Sequence, residues 1–349
     1  PGTGSFEERL KEVDIPYRKI GYRRWITSIN KKKNRINRVW EETKIYINNQ
    51  RTAKELASYA KEMGADIIHT NDSLTVVGCK AASIAEVGHV WHLREFLEED
   101  YLRSIVFPEW YIQKWFAKSD RIICISDAIR AKYEKRFVKD NWCKIYDGIV
   151  SPQVCWTNTD KIINNSLRLL FLGGTNEGKG FSDVIKLAGI LKQRYGIPFV
   201  ISVAGNCSKK NEYKKQLREC GVEDRFVFLG FVSRVNELFQ KNDIFLMMSK
   251  LEAFGLVTVE AMLGGAIVVG NNCGGTTEII KHESTGFLYE ENNLDNAAEL
   301  IKKIWDGKFE LGRIRQNALE YAKKNFCIER TADCIEKEYK SVLKERTKS

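Results

Sequence analysis

Short apolar runs and helix-periodic polar stretches alternate through most of the chain, and glycines separate many of them. In the second half, runs such as LRLLFL at 167–172 and AIVV at 266–269 have the continuous hydrophobicity of strands buried on both faces. Glycine turns follow these runs and lead into helical patterns. The order predicts an α/β domain with a doubly wound sheet. The predicted strands are 167–172, 198–204, 225–229, 243–248 and 266–269.

The first half repeats this alternation more weakly. A polar helix around 51–63 precedes a short apolar strand that ends in His69 and Asn71, and a second strand over 87–91 ends in His92. Ligands of open α/β sheets bind beyond the carboxyl ends of the strands. We therefore expect these polar residues to face a ligand.

The domain boundary is predicted from composition. Residues 151–166 contain a Ser-Pro pair and an Asn/Thr-rich run, which is typical of a linker. We accordingly predict one domain over 1–150, a second over 167–327, and a C-terminal helix over 328–349, where apolar residues recur at helical spacing. A chain of 349 residues is long enough for two such domains.

Two carboxylates mark the stretch 251–280. Glu252 and Glu260 stand eight positions apart and flank a helix predicted to start at residue 256. Backbone N–H groups at helix starts that follow glycine turns bind phosphate, and carboxylates accept hydrogen bonds from sugar hydroxyls. With about 1.5 Å of rise per helical residue, the two carboxylates would lie roughly 10 Å apart, the span from a ribose across a diphosphate to a second sugar. The alternative is that both are ordinary helix-start carboxylates favoured by the helix dipole.

The loop GGTNEGKG at 173–180 nearly matches the P-loop of nucleoside triphosphatases. It has the pattern G-x-x-x-x-G-K, but Gly180 occupies the place of the Ser or Thr that ligates magnesium. We therefore do not expect a triphosphatase.

Metals, cofactors and membrane spans are not expected. Nine scattered cysteines without a C-x-x-C pair favour free thiols in a reducing cytoplasm over disulfides or a zinc site. The chain contains no Asp-x-Asp pair, and His89 and His92 would point to opposite faces of one strand. No apolar run reaches the roughly 20 residues of a membrane span, and no signal peptide is visible.

The net charge of +10 is concentrated in residues 11–54, which contain 13 Lys or Arg against 4 Asp or Glu. Within this segment, 23–40 places four apolar side chains near helical spacing among seven basic residues. Such a segment suits an anionic membrane surface. The alternative is a helix whose apolar edge packs on the protein while its lysines are solvated. Nucleic acid is not expected, because no RNA-binding motif is present. The four apolar residues are Trp25, Ile29, Ile36 and Trp40.

The pattern E-A-F-G-L-x-x-x-E-A-M at 252–262 resembles retaining glycosyltransferases of family 4, together with GFVSRVNELFQKNDIFLMMSK before it and G-G-x-x-E and T-G-F-L-Y after it. The resemblance covers nearly the whole chain and is strongest over 168–290. It implies the GT-B fold, with two Rossmann-like domains facing a central cleft and a last helix that packs back on the N-terminal domain. We also expect the N-terminal domain to lack its first elements, because no apolar strand ending in Gly-Gly precedes residue 67.

The resemblance implies a nucleotide-diphosphate sugar as the donor, with Lys179 on the diphosphate, Glu260 on the ribose and Glu252 on the hexose. A diphosphate-binding arginine of the family falls at Gly174 here, a departure that leaves the phosphate charge to Lys179, backbone N–H groups and Thr175. The implied donor-binding residues are Gly173, Gly174, Thr175, Gly230, Val232, Phe254, Gly255, Leu256 and Glu260.

On the other side, the resemblance implies a saccharide or lipid-linked acceptor. His92 would face the transferred sugar, and His69, Asn71, Arg94 and Glu95 would lie toward the acceptor. The implied catalytic residues are His92, Lys179 and Glu252.

The implied activity is metal-independent glycosyl transfer with retention, in synthesis of cell-surface polysaccharide or glycolipid. The expected location is the cytoplasm, with peripheral contact to the inner face of the cell membrane. Two other functions stay open: a GT-B sugar-nucleotide epimerase, and a non-catalytic fragment that only binds the nucleotide sugar.

Overall fold

The computed structural model describes residues 5–28, 35–97, 99, 103–137, 139–149 and 165–348. These residues form two compact units. The first comprises the described parts of Pro1–Cys124, Ala131–Cys143 and Glu336–Ser349, and the second those of Ile125–Arg130 and Lys144–Ile335. The predicted linker lies almost entirely outside the described residues.

Helices and strands alternate along most of the chain. The helices are α1 Ser5–Glu12, α2 Arg35–Glu62, α3 Val77–Ala85, α4 Glu109–Ala117, α5 Asp127–Glu134, α6 Phe181–Gln193, α7 Lys210–Glu219, α8 Val235–Lys241, α9 Leu256–Leu263, α10 Thr276–Ile279, α11 Leu294–Trp305, α12 Leu311–Asn325 and α13 Ile328–Arg346. The strands are β1 Ile26–Ser28, β2 Ile67–Thr70, β3 Gly88–Leu93, β4 Arg103–Ile105, β5 Arg121–Cys124, β6 Trp142–Lys144, β7 Leu167–Leu172, β8 Phe199–Ala204, β9 Phe226–Gly230, β10 Ile244–Met247, β11 Ile267–Asn271 and β12 Phe287–Tyr289.

The sheet of the second unit has six strands in the order β12-β11-β10-β7-β8-β9, and all neighbours are parallel. This is the strand order of a dinucleotide-binding Rossmann sheet, in which the direction of winding reverses between the first and fourth strands. Here that switch point lies between β7 and β10. The predicted α/β class and the doubly wound sheet are therefore confirmed.

The core of this unit follows directly from the sequence pattern. Strands β10 and β11 are buried throughout, as expected for a sheet covered by helices on both faces. Helix α6 buries Phe181, Val184, Leu187 and Leu191, which recur at the spacing of one helical face. Burying a side chain of this size contributes about 1.5–3 kcal/mol.

The first unit contains a four-stranded sheet in the order β2-β3-β5-β6. A separate antiparallel pair joins β1 to β4. Part of the core of this unit is aromatic: Trp91 stacks on Trp25 with ring centroids 5.9 Å apart and on Phe116 at 4.3 Å, and Phe116 stacks on Phe137 at 4.0 Å. These stacked rings fill the space beside a small sheet.

The basic segment 23–40 does not form the single amphipathic element that its spacing suggested. Trp25 is fully buried, and its Nε1 donates to the carbonyl oxygen of Ser73 at 2.9 Å. It is therefore not available to a bilayer. Trp40 is 63% exposed, with Lys44 Nζ 3.2 Å from its ring centroid. Ile29 and the side chain of Ile36 lie outside the described residues.

The last helix, α13, contributes its residues from 336 onward to the first unit. Arg121 at the start of β5 pairs with Glu338 at 2.8 Å and with Glu345 at 2.7 Å. Between them, Val342 is fully buried, and a Cβ added to Gly88 would lie 3.1 Å from its Cγ1. These contacts fix the register of this part of the helix on the sheet.

Candidate functional site

A cavity of about 360 Å³ opens at the switch point of the second unit, beyond the carboxyl ends of β7 and β10. Open α/β sheets bind their ligands at this place. Five predicted residues line the cavity: Gly173, Lys179, Val232, Glu252 and Glu260. The lining residues that the sequence did not indicate are Leu172, Ala204, Gly205, Phe231, Val235, Met247, Ser249 and Val257.

Two of the lining residues form an ion pair. Lys179 Nζ lies 2.9 Å from Glu252 Oε2, with side chains 44% and 14% exposed. Lys179 ends the short 3-10 turn after β7, and Glu252 lies in the loop after β10. Two strands on opposite sides of the switch point thus bring one cation and one carboxylate together. A diphosphate entering the cavity would compete with Glu252 for the ammonium group.

Glu260 is the second acidic group of the cavity. It lies on α9, which begins at Leu256 as predicted. Burial raises the pKa of its carboxyl above the ordinary value. Within the part of the chain that the structure describes, this carboxylate has no hydrogen-bond or ion-pair partner. It is thus available to a ligand that offers hydroxyl donors.

Three predicted donor-binding residues shape the loop before α9 rather than line the cavity. Phe254 is buried and stacks on Tyr146 with centroids 5.3 Å apart. Gly255 has φ +97°, a left-handed conformation that favours glycine. Leu256 is the first residue of α9. The small and aromatic residues between the two glutamates therefore fix the turn that aims them.

The loop after β7 explains the departure at Gly174. Its φ is +59°, and an added Cβ would lie 2.1 Å from the carbonyl oxygen of Asn206. A larger residue at this position does not fit the observed loop. Thr175 is buried, donates to Asn206 O at 3.3 Å and accepts from Lys209 N–H at 3.2 Å. Its hydroxyl therefore stabilises the loop and does not line the cavity.

Phe231 is a cavity residue that the sequence did not single out. It follows Gly230 at the end of β9 and is 88% exposed. A phenyl ring that is left in water beside a cavity offers a stacking face to a flat ligand group. The signal that could have found it is an aromatic residue directly after a strand-ending glycine.

Glu278, the acid of G-G-x-x-E, lies outside the cavity lining. Its carboxylate accepts from the backbone N–H groups of Asp127 at 2.9 Å and Ala128 at 3.1 Å, and from the Tyr146 hydroxyl at 3.0 Å. It therefore caps the start of α5. A motif acid close to the site in sequence thus has a structural role.

In the first unit, two histidines meet at the ends of β2 and β3. The rings of His69 and His92 lie 5.4 Å apart, and His92 is 2% exposed. Both Nε2 atoms are buried without a hydrogen-bond partner among the described residues. Burial, with a smaller contribution from Arg94, lowers the pKa of His69 to about 4 and that of His92 to about 3, so both rings are neutral at pH 7.

The remaining predicted residues of this end are polar and paired. Arg94 Nη1 donates to Asn71 Oδ1 at 3.0 Å. Glu95 Oε1 accepts from Ser73 N–H at 3.2 Å. Burial and neighbouring Asp72 raise the pKa of Glu95 to about 7. The ends of β2 and β3 therefore carry the neutral rings of His69 and His92. The Arg94 guanidinium and the Glu95 carboxyl group, with its raised pKa, follow them.

Two further properties bear on ligands. No group of three or more His, Cys, Asp or Glu suited to a metal ion occurs among the residues that the structure describes. In the same residues, no helix combines the length and the apolar character needed to cross a bilayer.

Comparison with known proteins agrees with the fold. Residues 31–150 match the family model described as Glycosyltransferase Family 4, and residues 158–325 match that described as Glycosyl transferases group 1. The two matches together cover most of the chain.

The chain is also similar to individual relatives and to solved structures. An uncharacterized glycosyltransferase of Methanocaldococcus jannaschii is 27% identical over 303 residues, which are 80% of this chain and 75% of the relative. A lipopolysaccharide core biosynthesis mannosyltransferase of Rhizobium meliloti is 28% identical over 137 residues, 39% of each chain. The crystal structure of Anabaena HepE with UDP and glucose superposes with a TM-score of 0.73 at 20% identity, covering 97% of this chain and 90% of that one.

Proposed function

The chain belongs to the family 4 glycosyltransferases and has the GT-B fold, and from this premise we propose that it transfers a hexose from a nucleotide-diphosphate sugar to a saccharide or lipid-linked acceptor. The observation that carries the proposal is the cavity at the switch point, where Lys179, Glu252 and Glu260 converge. Solved structures of similar fold are complexes with UDP and with UDP-glucose. The setting is synthesis of cell-surface polysaccharide or glycolipid.

The donor binds with its diphosphate on Lys179 and on the backbone N–H groups at the start of α9. Glu260 accepts hydrogen bonds from the ribose hydroxyls, and Glu252 accepts them from the hexose. The leaving diphosphate gains negative charge in the transition state, and a fixed cation beside it stabilises that charge most when water is excluded. His92 contacts the transferred sugar.

We also propose that the transfer retains the anomeric configuration of the sugar and requires no metal ion. Lys179 supplies positive charge to the diphosphate, which a metal ion provides in other transferases. The acceptor hydroxyl attacks on the face that the diphosphate leaves, and the departing phosphate takes the proton. Product anomers read by NMR test retention, and turnover in excess chelator tests metal independence.

Glu260→Gln tests the donor assignment. The amide keeps the shape but loses the charge, so we expect turnover with a nucleotide sugar to fall by about 10- to 150-fold, the effect of about 1.5–3 kcal/mol for a hydrogen bond to a charged group. The matched control is Glu299→Gln, which changes a 53% exposed carboxylate on α11. Equal turnover of both variants and the wild type would contradict the assignment.

The two other functions stay distinguishable in the same assay. An epimerised sugar nucleotide formed without acceptor would indicate the epimerase. Donor binding without product would indicate the non-catalytic fragment. We retain transfer because the cavity brings both glutamates and the lysine to one place.

Location in the cytoplasm, at the inner face of the membrane, is also proposed. The eight cysteines within the described residues are free thiols, which suits a reducing compartment. Because Trp25 is buried, the proposed membrane contact through 23–40 depends on Trp40 and the neighbouring Lys44. Co-sedimentation of the protein with anionic but not neutral vesicles, reduced in Trp40→Ala, is the expected result.

A further inference from the structure

Tyr339 of α13 reaches the histidine pair of the first unit. Its hydroxyl oxygen lies 2.5 Å from His69 Nδ1, and the two rings meet edge to face with centroids 5.7 Å apart. Val342, three residues further along α13, is fully buried, and Arg121 pairs with Glu338 beside it. The position of the phenol is therefore fixed by contacts that do not involve the histidines.

A neutral imidazole carries one proton, and its partner decides which nitrogen holds it. Burial lowers the pKa of the His69 ring to about 4 and raises the pKa of the Tyr339 phenol, so both groups are neutral at pH 7. The hydroxyl hydrogen of Tyr339 has His69 Nδ1 as its partner among the described residues. When the phenol donates to Nδ1, the ring proton must lie on Nε2.

We infer that Tyr339 is a positioning residue, which holds His69 as the tautomer protonated at Nε2 and so gives the end of β2 an N–H donor beside His92. Both Nε2 atoms are buried and lack partners among the described residues, and buried polar atoms of native proteins rarely stay unpaired. The donor is enclosed in this structure, and a hydroxyl oxygen of a saccharide would complete it once a neighbouring side chain moves aside. The contact with a saccharide rests on the proposed function, whereas the assignment of the His69 tautomer does not.

Histidine NMR tests the tautomer without any substrate. The chain contains only 4 histidines, so long-range proton–nitrogen spectra of protein labelled at histidine give few signals to assign. We expect the His69 ring to show a protonated Nε2 and an unprotonated Nδ1. In Tyr339→Phe we expect a shift toward the Nδ1-protonated form. A wild-type ring protonated at Nδ1, or a variant spectrum identical to the wild type, would overturn the inference.

Two controls separate this effect from general damage. His89 binds Thr70 and Ser119 through its two nitrogens at 2.8 and 2.9 Å, so its signals should not change in Tyr339→Phe. Tyr321→Phe removes a phenol that donates to the carbonyl oxygen of Glu278 at 3.4 Å, and it should leave the His69 signals unchanged. Changes at His89 of similar size to those at His69 would indicate a structural role for Tyr339 and overturn its role in positioning.

Kinetics then test the use of the donor. We expect Tyr339→Phe to raise the acceptor KM by roughly 2- to 10-fold, the worth of a single neutral hydrogen bond, with the donor KM unchanged. An unchanged acceptor KM alongside a shifted tautomer would overturn the contact with the acceptor. Failure of the wild type to transfer sugar at all would instead contradict the proposed function, and the NMR result would stand by itself.

Discussion

The switch-point cavity of the second unit and the histidine pair of the first occupy the same place in their sheets, beyond the carboxyl ends of parallel strands. Their polar groups are satisfied in opposite ways. In the cavity, Lys179 and Glu252 neutralise each other across 2.9 Å and remain partly exposed. At the histidine pair, burial keeps His69 and His92 neutral, and their Nε2 atoms have no hydrogen-bond partner among the described residues.

The difference shows which kind of ligand group each end suits. A charged pair that is only partly buried can separate when an anion enters, because water has already reduced the strength of the pair. Neutral rings in a dry environment offer hydrogen bonds without the large desolvation cost of a charge. The second unit is thus suited to a diphosphate and the first to uncharged hydroxyl groups.

The largest expected effect is on the charged end. Lys179→Met should lower turnover by about 10²- to 10³-fold, the loss seen when one preorganised group that stabilises transition-state charge is removed. The control is Lys215→Met, whose side chain is 87% exposed on α7. Initial rates with a nucleotide sugar measure both variants. A Lys179→Met enzyme within a few-fold of the wild type would show that the cavity does not depend on this cation.

The backbone around Gly174 leaves no room for a larger side chain, such as a second cation beside Lys179. Two alanine variants test this steric restriction. Gly174 and Gly196 have φ +59° and +61°, but an added Cβ overlaps the Asn206 backbone at Gly174, whereas at Gly196 it meets no atom of the described residues within 4 Å. We expect Gly196→Ala to lose about 1 kcal/mol of unfolding free energy from backbone strain. Gly174→Ala should lose about 2–3 kcal/mol, because steric overlap adds to the strain. Urea denaturation measures both, and equal losses would mean that the loop relaxes.

The last prediction concerns the pH dependence of stability at the neutral end. His92 has a pKa of about 3 when folded against the ordinary 6.5, first because of burial and then because of Arg94 and His69. Between pH 3 and pH 6.5, the unfolded chain binds a proton at His92 that the folded chain does not. The contribution of neutral His92 to the free energy of unfolding is therefore fully present above pH 6.5 and is lost as the pH falls toward 3. The loss is about 1.4 kcal/mol for each pH unit.

A variant isolates this contribution from the other titrating groups. The free energy of unfolding of His92→Gln should fall less steeply than that of the wild type between pH 7.5 and 5, and urea denaturation at several pH values measures both slopes. Parallel slopes would show that His92 titrates normally, and the contrast between the two ends would then fail.

The two units also differ in how well the sequence predicted them. Strand β7 has the predicted bounds, and α9 starts at the predicted residue, because continuous apolar runs between glycines define strand and turn locally. Strand β1 and its partner β4 were missed: each has three residues, and their register pairs Ile26 with Ile105, so no local pattern marks them. Helix α2 was predicted from about residue 51 but begins at Arg35.

The same reasoning separates the site residues. The glutamate pair was predictable, because its spacing around a glycine turn and a helix start is local. Lys179 lies 73 positions from Glu252 and was expected only from the family resemblance of its loop. The sequence left open whether Trp25 faces a membrane or packs on the protein, because Trp91 and the Ser73 carbonyl that enclose it come from distant parts of the chain. The Tyr339 contact joins residues 270 positions apart, which no spacing rule can find.

The close approach of Gly174 to Asn206 also restricts how this enzyme could change over generations. A mutation that introduces arginine at position 174 would be harmful unless the turn after β8 had moved beforehand. Enzymes with a second cation at this turn are thus separated from this one by at least two ordered steps, and directed evolution toward tighter donor binding should begin by varying 205–207.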